Sequence, residues 1–350
     1  MVNLSVSATC NMKCSFCFAE GQMVDASTGS SPYISMEAFG RHLAFLERSG
    51  MREVRLIGGE PTMHPQFTEL IQRARGRHIV VFTNGLMPES ALASLEDLPE
   101  SECTVLVNMN ATRLPDGPSA AETRRRSKAV HRLRGRALLG FTIFRVDYDL
   151  RPLLELMEKA GAQRALRLGL AQPILGGRNE YLHPKSYRAV GRTVAELATR
   201  TVPLGVRLEL DCGFVRCMFS DEDVEVLRNA GTDLTPRCNP ILDVGVDGTV
   251  SHCFPLAGRF DLALASQPVA KELRQVIEDR TRPYRQAGVY RRCSRCAFRE
   301  RGECAGGCLA MTIRRFRSRP LRIAVPADSD RAKAPKARAQ REGVSSRVPH

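Results

Sequence analysis

Cys10, Cys14 and Cys17 stand together near the start of the chain, in the stretch Thr9-Cys10-Asn11-Met12-Lys13-Cys14-Ser15-Phe16-Cys17-Phe18, a CxxxCxxC spacing directly after an apolar, β-branched run at 2–6. Three thiolates on one short loop can hold three corners of a cubane iron-sulfur cluster, because thiolate is the ligand such clusters take and the spacing lets one loop wrap the cluster. The fourth iron then lacks a protein ligand, and an open iron in a reducing cluster can chelate a small molecule and pass it one electron. Two other uses of cysteine compete. A structural zinc needs a fourth Cys or His from a second knuckle, and the nearest histidine, His42, falls in a helical pattern. Disulfides need an oxidising compartment, and nothing at the N-terminus reads as a signal peptide, so the expectation is a cytoplasmic chain with reduced thiols.

The remaining elements must position that loop. Ser35 caps a helix that carries Phe39, Leu43 and Leu46 on one face and ends at Gly50. A buried strand over 53–57 then runs into Gly58-Gly59-Glu60-Pro61-Thr62. The glycine pair permits a tight turn and a close approach to a ligand, and Glu60 can accept a hydrogen bond from an ammonium group. Helices over 66–74, 89–95, 120–133 and 150–160 alternate with strands over 79–83, 105–109, 138–144 and 165–170. Repeated strand-helix units predict a parallel sheet, with ligand chemistry at the C-terminal ends of its strands. A linker over 176–184, a helix over 187–198 and a strand over 206–210 follow.

CxxxCxxC followed, after one βα unit, by GGEP resembles the radical S-adenosylmethionine (radical SAM) enzymes. The resemblance implies an α/β fold, an open, partial TIM-type (β/α)6 barrel. It implies a [4Fe-4S] cluster on Cys10, Cys14 and Cys17, whose open iron chelates the amino and carboxylate groups of SAM before reductive cleavage to a 5'-deoxyadenosyl radical. Gly58, Gly59, Glu60 and Pro61 would hold the SAM amino group, Asn84 would lie near the adenosine, Asn108 or Asn110 near the ribose, and Arg167 near the SAM carboxylate. Many members have Ser or Asp where this chain reads Asn108-Met109-Asn110.

Eight further cysteines fall at 212, 217, 238, 253, 293, 296, 304 and 308, which leaves Cys103 as a core residue. Such density indicates metal rather than disulfide. Cys238 and Cys253 sit at the bases of one hairpin whose turn is Asp247-Gly248. Cys293 and Cys296 form a CxxC, and Cys304-Ala305-Gly306-Gly307-Cys308 follows, its glycines letting the backbone fold close around a metal. This part is similar to the SPASM domain, a small cysteine-rich extension of radical SAM enzymes with two auxiliary [4Fe-4S] clusters. By that resemblance Cys238, Cys253 and Cys308 serve one cluster and Cys293, Cys296 and Cys304 the other. Cys212 and Cys217 are the candidates for the two vacancies. The alternatives are an open iron at one auxiliary cluster, or a structural zinc on the CxxC and CxxxC pairs.

The expected organisation is a radical SAM core over 1–200, an auxiliary domain over 201–312 and a basic, largely disordered tail over 313–350. The net charge of +14 is concentrated in that tail, where 314–350 holds eleven Lys/Arg against three acids. The run Arg124-Arg125-Arg126 with Lys128, Arg132, Arg134 and Arg136 reads as the charged outer face of a helix whose stripe is Ala129, Val130 and Leu133. No aromatic residues interleave it and Trp is absent, which argues against nucleic acid. No apolar run could cross a bilayer.

By resemblance, the chemistry is abstraction of a substrate hydrogen, followed by oxidation or crosslinking with the auxiliary clusters as electron path. Asp211 and Asp243 are the candidate bases, and flavodoxin or ferredoxin the electron donor. The substrate expected first is a peptide or protein, as in maturases of ribosomally made peptides, with a separate leader-binding protein because the chain starts at the first barrel strand. Second is a small metabolite such as a sugar, aminoglycoside or nucleoside. A non-catalytic zinc or cluster module touching nucleic acid is third, and it predicts no SAM cleavage.

Overall fold

The computed structural model describes residues 1–23, 30–110, 119–234, 238–264 and 269–316. The basic tail beyond 316 therefore lies outside the described residues.

Strands β1 (Asn3–Ser7), β2 (Glu53–Gly58), β3 (His78–Thr83), β4 (Cys103–Asn108), β5 (Ala137–Ile143), β6 (Ala165–Leu170) and β7 (Arg207–Leu210) pair in chain order, every pair parallel. The crossovers carry α1 (Met36–Arg48), α2 (Phe67–Ala74), α3 (Glu89–Glu96), α4 (Ala120–Leu133), α5 (Arg151–Ala160) and α6 (Tyr187–Thr201). Strands β1 and β7 are not paired with each other, so the parallel sheet stays open. The parallel order is the one that the alternation predicts, and the open sheet is the partial barrel that the resemblance implies.

The two sheet faces do different work. Because side chains alternate along a strand, Val54, Leu56, Ile79, Val81, Val105, Val107, Leu139 and Leu166 point to one face and are fully buried, in one apolar core with Phe39, Leu46, Leu70, Leu95, Val130 and Leu133 of the helices. The opposite face carries a small separate cluster of Leu106, Leu138 and Ala165 with Phe82 packed against it. Arg55 and Arg167 both lie over the Phe82 ring, 4.9 and 5.3 Å from its centroid. The inner face of the barrel thus combines a small apolar patch with charged groups, where the outer one is a sealed core.

The helices begin where local chemistry says they should. The Ser35 hydroxyl accepts from the Ala38 N–H at 3.1 Å, and Ser119 and Glu122 form a reciprocal capping box on α4.

The cysteine-rich part is joined to this sheet. Strand β8 (Asp243–Val244) pairs parallel with β1, and β9 (Thr249–Ser251) and β10 (Leu262–Ala263) extend the sheet antiparallel. Gly248 takes φ +82° in the hairpin turn, where the Thr249 N–H donates to the Asp247 carboxylate at 2.9 Å. Helices α7 (Asp221–Asn229), α8 (Ala270–Arg285), α9 (Ala297–Glu300) and α10 (Leu309–Phe316) complete the described chain. Among the described residues, no helix is long and apolar enough to cross a membrane.

Candidate active site

Strand β1 hands the chain to the cysteine loop, and β2 grips that loop from behind. The Gly59 N–H donates to Ser7 O at 2.8 Å and the Glu60 N–H to Thr9 O at 2.9 Å. Glycine is required at both positions. Gly58 takes φ +149°, and a Cβ there would stand 2.0 Å from Ser7 O; a Cβ on Gly59 would stand 2.2 Å from Thr9 O. Gly59→Ala is expected to push the loop off β2 at a cost of about 1–3 kcal/mol, with loss of iron from Cys10, Cys14 and Cys17. Thermal melting and iron analysis check it, and a variant with unchanged melting and iron would show that the contact is dispensable.

The three thiols are free and half-buried. Burial pushes the thiols of Cys10 up to about 11 and Cys14 up to about 12; Glu60 and Cys17 push Cys10 further in the same direction, and Cys17 and Cys10 push Cys14. Thiols so placed resist ionisation unless a metal takes the thiolates, which is the donor set a cluster needs. Among the described residues, no three His, Cys, Asp or Glu side chains could hold a metal ion between them. Three thiolates on one loop are the donor set that a cubane takes, one thiolate to each of three irons.

Glu60 has no exposed surface. Its Oε1 accepts from the Thr62 N–H (3.2 Å), the Thr62 hydroxyl (2.6 Å) and the Thr83 hydroxyl (2.8 Å), and its Oε2 from the Asn84 N–H (2.8 Å). Burial raises its pKa against the pull of those four donors. The carboxylate therefore ties the end of β2 to the end of β3. Asn84, placed by sequence near an adenosine, lies against the loop: its Nδ2 is 3.8 Å from Cys10 Sγ and 2.7 Å from Asn11 Oδ1.

Arg126 is the residue that sequence reasoning misplaced. The helix forms over 120–133 as expected, and Arg124 and Arg125 are exposed, but Arg126 is 2% exposed and turned toward the cysteines. Nη1 donates to Asn110 O at 2.6 Å, Nη2 lies 3.1 Å from Met12 Sδ, and Nε has no partner. The signal was present, because 126, 129, 130 and 133 are one i, i+3, i+4, i+7 stripe.

Further along the inner face, Asn110 is buried with its amide spent on the Thr142 backbone, at 2.8 and 2.7 Å. Asn108 is less enclosed and donates to the Thr142 hydroxyl at 3.1 Å. Arg167 pairs with Asp211 at 2.7 Å. Asp211 leads into Cys212, whose thiol is exposed and yet so surrounded by protein that burial pushes it well up, with Asp211, Cys238 and Cys308 adding to the shift.

The C-terminal cysteines divide into two neighbourhoods. Cys212, Cys238, Cys253 and Cys308 act on one another, and burial first, then the neighbouring thiols, raise Cys253 strongly and Cys308 to about 12. Cys217 instead neighbours Cys293 and Cys304; burial raises it and a hydrogen bond from Arg292 opposes that. Cys296 lies three residues past Cys293, at the end of the same turn. The Tyr290 and Gly306 N–H groups reach the sulfurs of Cys293 (3.4 Å) and Cys304 (3.3 Å), and a Cβ on Gly288 would lie 2.5 Å from that of Cys293. Cys103 is buried in β4, apart from both sets.

Asp243 is 5% exposed and accepts from Asn3 Nδ2 and the Phe254 N–H, each at 2.7 Å; burial pushes it up to about 6. It pairs with Asn3 at the start of β1, whereas the cysteine loop follows the other end, a strand length of about 13 Å away.

Residues 4–137 match the Radical SAM superfamily. A GTP 3',8-cyclase of Aeromonas hydrophila is 31% identical over 90 residues, 24% of this chain and 26% of that protein. An S-adenosylmethionine-dependent nucleotide dehydratase of Flammeovirga pacifica is 34% identical over 86 residues, 24% of this chain and 30% of that protein. The chain thus matches little more than a quarter of the length of these curated relatives. Among solved structures, native anSMEcpe with bound AdoMet and Kp18Cys peptide has a TM-score of 0.60 at 17% identity, covering 87% of this chain and 89% of that one. SuiB of Streptococcus suis bound to S-adenosylmethionine has a TM-score of 0.63 at 12% identity, covering 89% of this chain and 74% of that one. At these identities the likeness is one of fold.

Proposed function

We propose that this chain, whose residues 4–137 match the Radical SAM superfamily and whose overall fold is like that of anSMEcpe and SuiB, is a radical SAM enzyme with a SPASM-type C-terminal part that abstracts a hydrogen from a peptide or protein substrate and completes a net oxidation or crosslink there. We take 1–200 as the core and 201–312 as the auxiliary domain. The observation that carries the reading is the division of eight C-terminal cysteines into two sets, one of which includes Cys212 directly after Asp211.

Cys10, Cys14 and Cys17 would hold the reactive cluster, and Cys212 with Cys238, Cys253 and Cys308, and Cys217 with Cys293, Cys296 and Cys304, the two auxiliary ones. Bound there, such clusters supply one electron for SAM cleavage at the first site and a graded route for the substrate's electron at the others. The chain's own residues do the rest. Gly58 and Gly59 let the backbone close on the loop, Asn108 and Arg167 present polar groups to the inner face, and Asp211, half-buried and oriented by Arg167, takes the proton that the substrate radical sheds with its electron. Asp243 is a less accessible second base. Flavodoxin or ferredoxin would supply reducing electrons, and a separate protein would present any leader peptide.

Asp211→Asn is expected to lower substrate turnover about 10²- to 10⁴-fold while SAM cleavage persists, seen as 5'-deoxyadenosine formed without product. Equal loss of both would assign Asp211 a structural role. The cysteine division has its own test. Iron losses of Cys212→Ala and Cys217→Ala should add, whereas Cys238→Ala should cost nothing further in a Cys212→Ala background; the opposite pattern would reverse the assignment.

The second reading, a nucleotide substrate, is favoured by the GTP 3',8-cyclase and nucleotide dehydratase matches. The deciding experiment offers the reconstituted enzyme, SAM and dithionite either peptides encoded by short reading frames beside its gene or GTP and other nucleotides. Loss of hydrogens from a peptide, with matching 5'-deoxyadenosine, supports the first reading. Turnover of nucleotide alone overturns it.

A further inference from the structure

On the reading that Cys10, Cys14 and Cys17 hold a cluster, we propose that Arg126 is the built-in counter-charge of that cluster, a positioning residue that favours its reduced form and braces the loop from α4.

The argument starts from what a buried guanidinium costs. Arg is always charged, and burying a charge without a partner is worth several kcal/mol against folding. Arg126 is 2% exposed, and among the described residues no carboxylate is in ion-pair contact with it. Glu122, one turn back, closes the capping box with Ser119, and Glu60 is held by its own four donors. The Nη2 of Arg126 instead rests on Met12, between Cys10 and Cys14, and Cys14 is its foremost favourable electrostatic neighbour. The stem runs along the Asn84-Gly85 turn, where a Cβ on Gly85 would lie 3.3 Å from Arg126 Cγ. Asn84 reaches the Cys10 sulfur from that same turn.

Glu122 and Glu60 also favour the charge, each less than Cys14, and the cation rests against the cysteine loop, where further negative charge arrives when the thiols are metallated. Three thiolates on a cubane carry net negative charge that grows by one on reduction, and a fixed positive charge beside them stabilises the reduced state more than the oxidised one. This gives a reason for placing an arginine in an apolar stripe position, where Leu would serve packing better.

The test uses the full-length reconstituted chain and its Cys10/Cys14/Cys17→Ala derivative, each with Arg126, Arg126→Lys or Arg126→Met. In an EPR-monitored redox titration, Arg126→Met should lower the reduced-to-oxidised ratio of the loop cluster about tenfold at a fixed potential, equivalent to about 59 mV for one electron, with Arg126→Lys close to wild type. In melting experiments Arg126→Met should destabilise the cluster-bearing chain but leave the triple-Ala chain unchanged or more stable, since there it removes an unpaired charge. An unchanged titration with Met, or an equal loss of stability in both backgrounds, overturns the proposal. If Arg126→Met fails to hold the loop cluster, the triple-Ala melting decides: stability retained there supports a charge needed only with the cluster, and stability lost there overturns it. The premise is read separately, because a triple-Ala chain that keeps all its iron removes the cluster assignment itself.

Discussion

Replacing Cys10, Cys14 and Cys17 together by alanine is expected to lower 5'-deoxyadenosine formation from SAM at least about a thousandfold, about 4 kcal/mol of barrier, and to take the iron content from about twelve to about eight per chain. The loss should be this complete because nothing nearby can substitute. The loop is the only part of the first 200 residues with grouped thiols, Cys103 is enclosed in β4, and His42 is buried in α1. The two C-terminal sets should keep their iron, since neither proposed ligand set draws on the loop. Anaerobic reconstitution, iron and sulfide analysis and chromatography of the nucleoside product make the measurement. SAM cleavage within tenfold of wild type would remove the loop from the chemistry. A wild-type content of about four irons, with zinc on the C-terminal cysteines, would instead leave the loop its role and remove the oxidative electron path.

The sequence foretold the backbone plan because alternation is a strong signal. The strand-helix order, the Ser35 cap, the Asp247-Gly248 hairpin and the glycine pair at 58–59 all follow from local chemistry that tertiary contacts did not override. Helix α7 was equally legible and went unread: Ser220 caps it, and Asp221, Glu222 and Asp223 fill its first turn. What composition hid was direction. A run of three arginines suggests a solvated face, and only the phase of the apolar stripe separates Arg126 from Arg124 and Arg125. Likewise, which set Cys212 and Cys217 join is invisible in spacing. Cys212 follows β7 directly, whereas Cys217 comes a short turn later and neighbours a CxxC region more than seventy residues on. The union of the hairpin with the barrel sheet, Asn3 beside Asp243, was hidden for the same reason, since parallel pairing across 240 residues leaves no local trace.

Glu60→Ala is expected to cost about 3 kcal/mol or more, because it strands the N–H groups of Thr62 and Asn84 and the hydroxyls of Thr62 and Thr83 in a site closed to water, at about 1–3 kcal/mol for each donor left unpaired. Glu60→Gln should cost less, about 1–3 kcal/mol: the amide oxygen can serve the three donors on Oε1, but its NH₂ then meets the Asn84 N–H, donor against donor. The pair of variants also separates two roles for the carboxylate. If Glu60 acts as the strut between β2 and β3, SAM affinity should follow stability, falling less than about tenfold in Gln and collapsing in Ala as the turn carrying Asn84 moves away from Cys10. If the carboxylate reaches the SAM ammonium directly, Gln should weaken SAM binding far more than it lowers the melting temperature, since a charged hydrogen bond is worth about 1.5–3 kcal/mol. Four donors already converge on a side chain with no exposed surface, and that geometry favours the strut. Parallel melting curves and SAM titrations on both variants decide between the two roles, and a hundredfold loss of SAM affinity in a Glu60→Gln protein of wild-type stability would sink the strut.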